Sequence, residues 1–466
     1  MAPILWSILI HVLMIGGFLL GIVLIAHILL QKRSPSGTIA WLLIILLVPY
    51  AGVPLYLFFG GRKMRRQAAS KHELGFGPDL SIPEDEAHIF DKMLRTYHIP
   101  GAQTGHTIRL CGNGVERFEA MDQLIRNARR SVFLETFIYH DDEVGRHFLD
   151  LLTEKARQGV DVRVLMDGVG SLHTPMRFFR PLMAAGGKVS VFLPVLHRPF
   201  RGRTNLRNHR KITVIDNRYL MAGGANIGKD YMGPCRYEKR WKDLAFVLEG
   251  ASVSRWVNVF SGDWEFAAKE AIPAELMQAP ATNECSAAAG VVQMVPSGPD
   301  VPNDALSDLI LSMIYAAKRR FWVATPYFVP DDAMCKALTL AARRGVDVRV
   351  ILPENSNHWM PDVVRGLPLR QIQQAGGLIL FYTPSMMHAK MLLMDDEAAV
   401  LGSANLDVRS LLLNYETAMV VYSRQDIPAV EEYMSNLALH SRCGVAEASL
   451  TRALGESIVR LVSPLL

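Results

Sequence analysis

The chain has 466 residues; half are hydrophobic, a fifth are charged, and the net charge is +5. That balance excludes a disordered, collagen-like or disulfide-stapled chain, and the mild positive excess suits an anionic lipid or a nucleic acid without choosing between them. The five cysteines, Cys111, Cys235, Cys285, Cys335 and Cys443, are odd in number, widely spaced and free of any CxxC. They point away from a disulfide framework or a zinc site and towards a reducing compartment.

Ile4 to Leu30 contains no Asp, Glu, Lys or Arg. A polar break with Lys32 and Arg33 follows, and then a second uncharged run, Thr38 to Phe59, which holds Pro49 and Pro54. Both runs are long enough for a hydrocarbon core of ~30 Å, and the prolines predict a kink in the second. The pattern predicts a two-helix transmembrane hairpin over 1–61, with a re-entrant or interfacial hairpin as the alternative. A signal peptide would need a basic start, a shorter apolar core and a small-residue cleavage site, none of which is evident. Arg62, Lys63, Arg65 and Arg66 follow at once. This heavier basic cluster puts the remainder of the chain in the cytoplasm, as the cysteine usage also does.

Residues 62–107 are polar and low in pattern and read as a linker. Beyond them the texture is α/β, with short β-branched runs alternating with amphipathic stretches. Ser131 to Tyr139 reads as a strand, Glu143 to Gln158 as a helix and Val160 to Met166 as a strand. Phe178 to Ala185 reads as a helix and Val189 to Leu193 as a strand. The order then recurs: Gly159-Val-Asp-Val-Arg-Val returns letter for letter at Gly345 to Val350, and Ala185-Gly-Gly is echoed at Ala375-Gly-Gly. A period of roughly 180–190 residues is too long for a solenoid. It predicts two homologous α/β domains, 108–270 and 290–466, related by a pseudo-twofold axis and joined by an Ala- and Pro-rich linker, 271–289.

The repeat carries the chemistry. His209-Arg-Lys211, with Asp216 five residues on and then Gly223-Gly224-Ala-Asn226, is matched by His388-Ala-Lys390, Asp395 and Gly402-Ser403-Ala-Asn405. Both read H-x-K-x(4)-D-x(6)-G-[GS]-x-N. A lone histidine on a strand is more often a packed core residue and a lone lysine usually sits on a solvated face, but a duplicated constellation at matching places is poorly explained that way. If the segments are strands, histidine and lysine at i and i+2 aim at one place. Two facing halves then offer two imidazoles, two ammonium groups and two Asn amides around one cavity. Such a set suits nucleophile and general acid/base roles at a phosphoryl group. Zinc on the histidines would lack a third ligand, and no P-loop is present.

The duplicated motif resembles the phospholipase D superfamily, and the chain at large resembles its membrane-anchored bacterial cardiolipin synthases. The likeness includes Ser36-Gly-Thr-Ile-Ala-Trp41, Pro49-Tyr-Ala-Gly-Val-Pro54, Thr325-Pro-Tyr-Phe328, Leu352-Pro-Glu-Asn355 and Asp407 to Glu416. Gly224 departs from the commoner Ser. The resemblance implies a multi-pass protein of the bacterial inner membrane with no metal or other cofactor. It implies phosphatidyl transfer between two phosphatidylglycerol molecules through a phosphatidyl-histidine, with His209 as nucleophile and His388 as general acid. The whole motif, Asp216 and Asp395 included, counts with the catalytic set. The resemblance also implies that Asp243 and Glu416 each orient the histidine of the other half. The gap from Asn226 to Asp243 is longer than that from Asn405 to Glu416.

Arg198, Arg201, Arg203, Arg207, Arg210 and Lys211 crowd one stretch without an acidic residue. They read as a rim for anionic headgroups, with Arg201, Arg203 and Arg207 as substrate-binding candidates, or else as a solvated loop. The tail from Leu450 repeats Leu454, Ile458, Leu461 and Leu465 at helical spacing. It packs on the second domain or lies in the membrane interface. A hydrolytic phospholipase D, another phosphatidyltransferase, a superfamily nuclease and a non-catalytic membrane scaffold are the competing functions. The membrane hairpin and the lack of a basic-aromatic platform argue against nucleic acid. A homo-oligomer is left open.

Overall fold

Each copy of Gly-Val-Asp-Val-Arg-Val begins at a left-handed turn that favours glycine. Gly159 and Gly345 both sit at φ 85°. The following valine amides reach back to Lys155 O and Ala341 O, which closes the preceding helix and launches a strand. Those helices, Glu143–Arg157 and Asp332–Arg343, start on the side chains of Asp142 and Asp331, which accept from backbone N–H groups of the first turn. The same local chemistry thus builds the same unit twice. The chain is seen in a computed structural model that describes residues 2–30, 35–59, 71, 74, 81–194, 206–278, 290–301 and 303–462.

The first half contributes β1 Gln103–Cys111, β2 Ser131–Thr136, β3 Asp161–Asp167, β4 Lys188–Phe192, β5 Ile212–Ile215, β6 Tyr219–Gly223 and β7 Ala245–Glu249. The second contributes β8 Gly290–Ser297, β9 Arg320–Ala324, β10 Phe328–Val329, β11 Asp347–Pro353, β12 Leu378–Tyr382, β13 Met391–Met394, β14 Ala398–Gly402, β15 Leu406–Asp407, β16 Glu416–Val421 and β17 Ser441–Cys443. Fifteen of these form one sheet, and β10 and β15 pair separately. Read outward from the centre, β1-β7-β6-β5-β2-β3-β4 is repeated as β8-β16-β14-β13-β9-β11-β12. The halves meet where β1 and β8 run antiparallel, with Gln103 opposite Val292 and His106 opposite Gly290. The expected pair of homologous α/β units is therefore fused edge to edge about a pseudo-twofold axis. The long helix Val253–Ala268 locks the join: its Trp256, Phe260 and Trp264 share one buried core with Met294, Met419 and Leu437 of the other half.

Several expected boundaries move. The strand from Ser131 ends at Thr136, and Phe178 to Ala185 is a 3₁₀ turn, Met176–Phe179, followed by the short helix Arg180–Ala184. The stretch expected as a linker to residue 107 is built into the fold in its later part. There the helix Ile89–Arg95 buries Phe90 and Leu94, and Ile99 joins them in the core of the second half. The reason is that three apolar anchors suffice to dock an otherwise polar segment.

At the N-terminus α1 runs Ala2–Leu29. The second arm, expected as one kinked helix, is two, α2 Pro35–Leu47 and α3 Pro49–Phe59. Pro49 supplies no N–H to continue α2, and a Cβ on Gly52 would collide with the carbonyl of Ile44, so α3 folds back closely on α2. Leu24, Ile28, Trp41, Ile45 and Tyr56 form a small separate core between the three. Among the described side chains no helix is long and apolar enough to cross a membrane.

Candidate active site

His209 and His388 lie just ahead of β5 and β13 rather than on them. Each is pinned by a parallel bridge from the opposite half. His209 N donates to Tyr415 O at 2.9 Å, and His388 N to Lys242 O at 2.7 Å. The bridging residues immediately precede Glu416 and Asp243. The crossing therefore delivers a carboxylate to each ring: Glu416 Oε1 stands 2.9 Å from His209 Nδ1, and Asp243 Oδ2 stands 2.7 Å from His388 Nδ1. Both carboxylates are fully buried, and the rings are nearly so. With Nδ1 occupied, Nε2 of each ring is the nitrogen left for chemistry.

The lysines complete the arrangement. Lys211 Nζ donates to His209 O at 2.7 Å, and Lys390 Nζ lies 2.8 Å from His388 Nδ1 and also donates to His388 O. Burial sets the charges. It lowers Lys211 to about 7 and Lys390 to about 8, against the pull of Glu416 and Asp243. It drives His209 well below the usual imidazole range, helped by Lys211 and Lys390. It takes His388 to about 3, with Lys390 adding to the drop and Asp243 opposing it. Both rings are thus held towards the neutral form before substrate binds. The carboxylates diverge: burial lifts Glu416 to about 8, whereas Asp243 resists burial and ends below its ordinary value because Lys390 and His388 face it.

The other expected residues fall into two groups. Asn226 and Asn405 are buried beside the site, where Asn226 Oδ1 accepts from Ile138 N at 3.2 Å and Asn405 Nδ2 donates to Ser410 Oγ at 3.2 Å. Asp216 and Asp395 are not brought to the histidines, and their place in the catalytic set is corrected. They cap the far ends of β5 and β13, seven residues on, or roughly 20 Å at ~3.3 Å per residue. There, at φ 54° and 48°, Asp216 accepts from the backbone N–H of Arg129, Arg130 and Ser131. Asp395 does the same for Lys318, Arg319 and Arg320. Each ties the turn before β2 or β9 to the strand that leads back to a histidine.

The expected basic rim is also revised. Arg198, Arg201 and Arg203 lie outside the described residues. Arg207 is buried, donates to Leu193 O at 3.3 Å and faces Asp167. Arg210 is fully buried in a cluster with Asp263, Asp300 and Lys71. Sequence reasoning missed that cluster, because nothing local marks a carboxylate that will meet a cation fifty or ninety residues away. It also missed the aromatic walls, Phe137 at 4.9 Å from the His209 ring and Trp241 and Tyr231 at 5.2 and 5.6 Å from the His388 ring. The longer gap before Asp243 was the available signal, since the added residues carry Tyr231 and Trp241.

Two fused units that each lend a carboxylate to the other's His–Lys pair define a phospholipase D-like enzyme. The model of the family described as "Cardiolipin synthase, PLD-like domain" matches residues 121–264 and 310–438, and that of "Phospholipase_D-nuclease N-terminal" matches residues 19–61. Cardiolipin synthase 1 of Bacillus anthracis is 32% identical over 463 residues, covering 94% of this chain and 91% of the relative. Cardiolipin synthase A of Pseudomonas syringae pv. syringae is 33% identical over 468 residues, covering 96% of each. The crystal structure of phosphatidylserine synthase from Haemophilus influenzae Rd KW20 superposes with a TM-score of 0.61 at 18% identity, over 77% of this chain and 95% of that one, and so shares the fold. The chain belongs to the cardiolipin synthase family of phospholipase D-like proteins.

Proposed function

We propose that the protein makes cardiolipin and glycerol from two molecules of phosphatidylglycerol. The observation that carries this reading is the crossed support of the two histidines, which places two imidazoles and two lysines in one site. His209 Nε2 attacks phosphorus, the bond from phosphorus to the glycerol headgroup breaks, and His388, which has taken up a proton on Nε2 as the anionic phosphodiester binds, hands that proton to the leaving oxygen. A hydroxyl of the second phosphatidylglycerol then gives its proton to His388 and attacks the phosphatidyl-histidine, which frees His209. The carboxylates favour these roles. Ionised Asp243 stabilises the imidazolium that His388 becomes on taking up a proton, and Glu416, lifted to about 8, leaves His209 neutral and nucleophilic. Lys211 and Lys390 stabilise the charge on the phosphoryl oxygens.

Residues 1–61 seat the chain in the bacterial inner membrane. The two uncharged runs, Ile4 to Leu30 and Thr38 to Phe59, support this reading. The basic residues from Arg62 to Arg66 keep the catalytic part on the cytoplasmic side; a reporter fused at Leu466 that reads as external would reject this. The test of the activity is to incubate the protein with phosphatidylglycerol in a bilayer and identify the products. Cardiolipin and glycerol are expected. Phosphatidic acid as the main product would make it a hydrolase.

A further inference from the structure

The C-terminal helix, Leu450–Val462, docks with its polar side inward. Glu456 is 4% exposed and pairs with the buried guanidinium of Arg370. It lies so close to Gly366 that a Cβ there would meet its carboxylate. The apolar side faces out: Leu450, Leu454 and Ile458 are 87%, 62% and 55% exposed. A helix held to its own domain by an ion pair while a leucine stripe faces solvent is the reverse of an ordinary surface helix. The neighbouring helix, Trp359–Val364, packs against it and begins with a tryptophan that is 68% exposed. Trp359 is one residue from His358, whose ring lies 5.4 Å from Tyr327, and Tyr327 lies 6.5 Å from the ring of His388. The apolar face therefore starts beside the wall of the active site.

We propose that this helix, with Trp359, seats the His388 side of the site in the headgroup layer of an anionic bilayer. The proposal rests on the reading that the site acts on membrane phospholipid. Charge selects the occupant. Glu456 is withdrawn beneath the helix, where Arg370 and, at 2.9 Å, Arg452 share its one carboxylate, so the docked helix is net positive and its outward leucine stripe carries no carboxylate among its described residues. That suits an anionic lipid surface. A second copy docked through the same face would set like charge against like. The contact would hold the site against the layer from which substrate must enter, independently of residues 1–61.

The test uses the full chain, in phosphatidylglycerol vesicles and in parallel in mixed detergent micelles. Leu454→Asp with Ile458→Asp is expected to lower cardiolipin formation in vesicles about tenfold or more, and to leave the rate in micelles within about twofold. Equal loss in both would mean that the helix only supports the fold, and no loss in either would mean that it touches nothing. Either result overturns the proposal, as does a change from oligomer to monomer with vesicle activity intact. A second readout needs no turnover. The part of the tryptophan emission removed by Trp359→Phe is expected to be quenched by phosphatidylglycerol with brominated acyl chains. Absence of quenching rejects the contact. Quenching by a protein that forms no cardiolipin would sink the reading of the site and leave the contact standing.

Discussion

The carboxylate of Asp243 occupies the space that a side chain at Gly224 would take, since a Cβ built there would come well inside van der Waals contact with Asp243 Oδ1. At the matching place in the second half stands Ser403, whose hydroxyl donates to Glu416 Oε2 at 2.5 Å. Glycine goes with the aspartate and serine with the glutamate. The departure at Gly224 is therefore one member of a matched pair.

Exchanging these small residues is expected to have unequal effects. Gly224→Ser pushes Asp243 off His388 and should lower kcat for glycerol release on the order of 10²-fold, the worth of one positioned acid–base group. Ser403→Gly removes the hydrogen bond to buried Glu416 and the acceptor of Thr417 N, worth about 1–3 kcal/mol where buried polar groups lose a partner, and should cost about tenfold. Rates measured at saturating phosphatidylglycerol decide this. Equal losses would mean that the two halves are interchangeable.

The roles of the histidines separate by leaving group. A phosphatidyl ester of an acidic phenol needs no proton to depart, so His388→Gln should still release the phenol in a burst. His209→Gln should release none. A burst from the His209 variant, with label on His388, would reverse the assignment.

The buried lysines predict a basic limb. Lys211 at about 7 and Lys390 at about 8 are held down chiefly by burial, and they serve the phosphoryl group only when protonated. In the free enzyme, kcat/KM should therefore fall as pH rises through 7 to 8. A bound phosphodiester adds negative charge beside both ammonium groups and raises them, so kcat should hold to higher pH. A kcat/KM that climbs steadily to pH 9 would contradict the assignment. Replacing either lysine with Met should cost kcat/KM at every pH.

Much of this was legible in advance where information is local or repeated. The duplicated Gly-Val-Asp-Val-Arg-Val marked two equal units because each glycine closes a helix in a way other residues resist. The paired His–Lys motifs marked the site. The motif reading failed at Asp216 and Asp395, because their spacing from histidine is as regular as that of the lysines although they cap the opposite end of the strand. It failed at Arg207 and Arg210, where a run of basic residues looks the same whether it faces solvent or buried carboxylates. The break after α2 was half visible in Pro49. The fold-back that Gly52 permits depends on a contact with Ile44 that no pattern announces.

The least legible feature yields the last prediction. Lys71, from the stretch expected as a linker, reaches the join between the halves. It pairs there with Asp263 of the first half and, at 2.5 Å, with Asp300 of the second. Arg210, set between His209 and Lys211, holds the same two carboxylates at 2.6 and 3.0 Å. All four side chains are at most 1% exposed. Two cations and two anions balance, and the neighbouring Glu135 is pushed well above its ordinary range by burial and by Asp263. Lys71→Met leaves two buried carboxylates with one guanidinium. Removing one partner of such a set costs about 3–5 kcal/mol, so a clear fall in Tm is expected in detergent solution. Adding Asp300→Asn restores the balance and should recover most of the loss, whereas Asp300→Asn alone should also destabilise. Activity should track Arg210, because its guanidinium fixes the backbone between the two catalytic side chains. The double variant should regain turnover together with stability. Simple addition of the two single losses would show that the four charges do not act as one set.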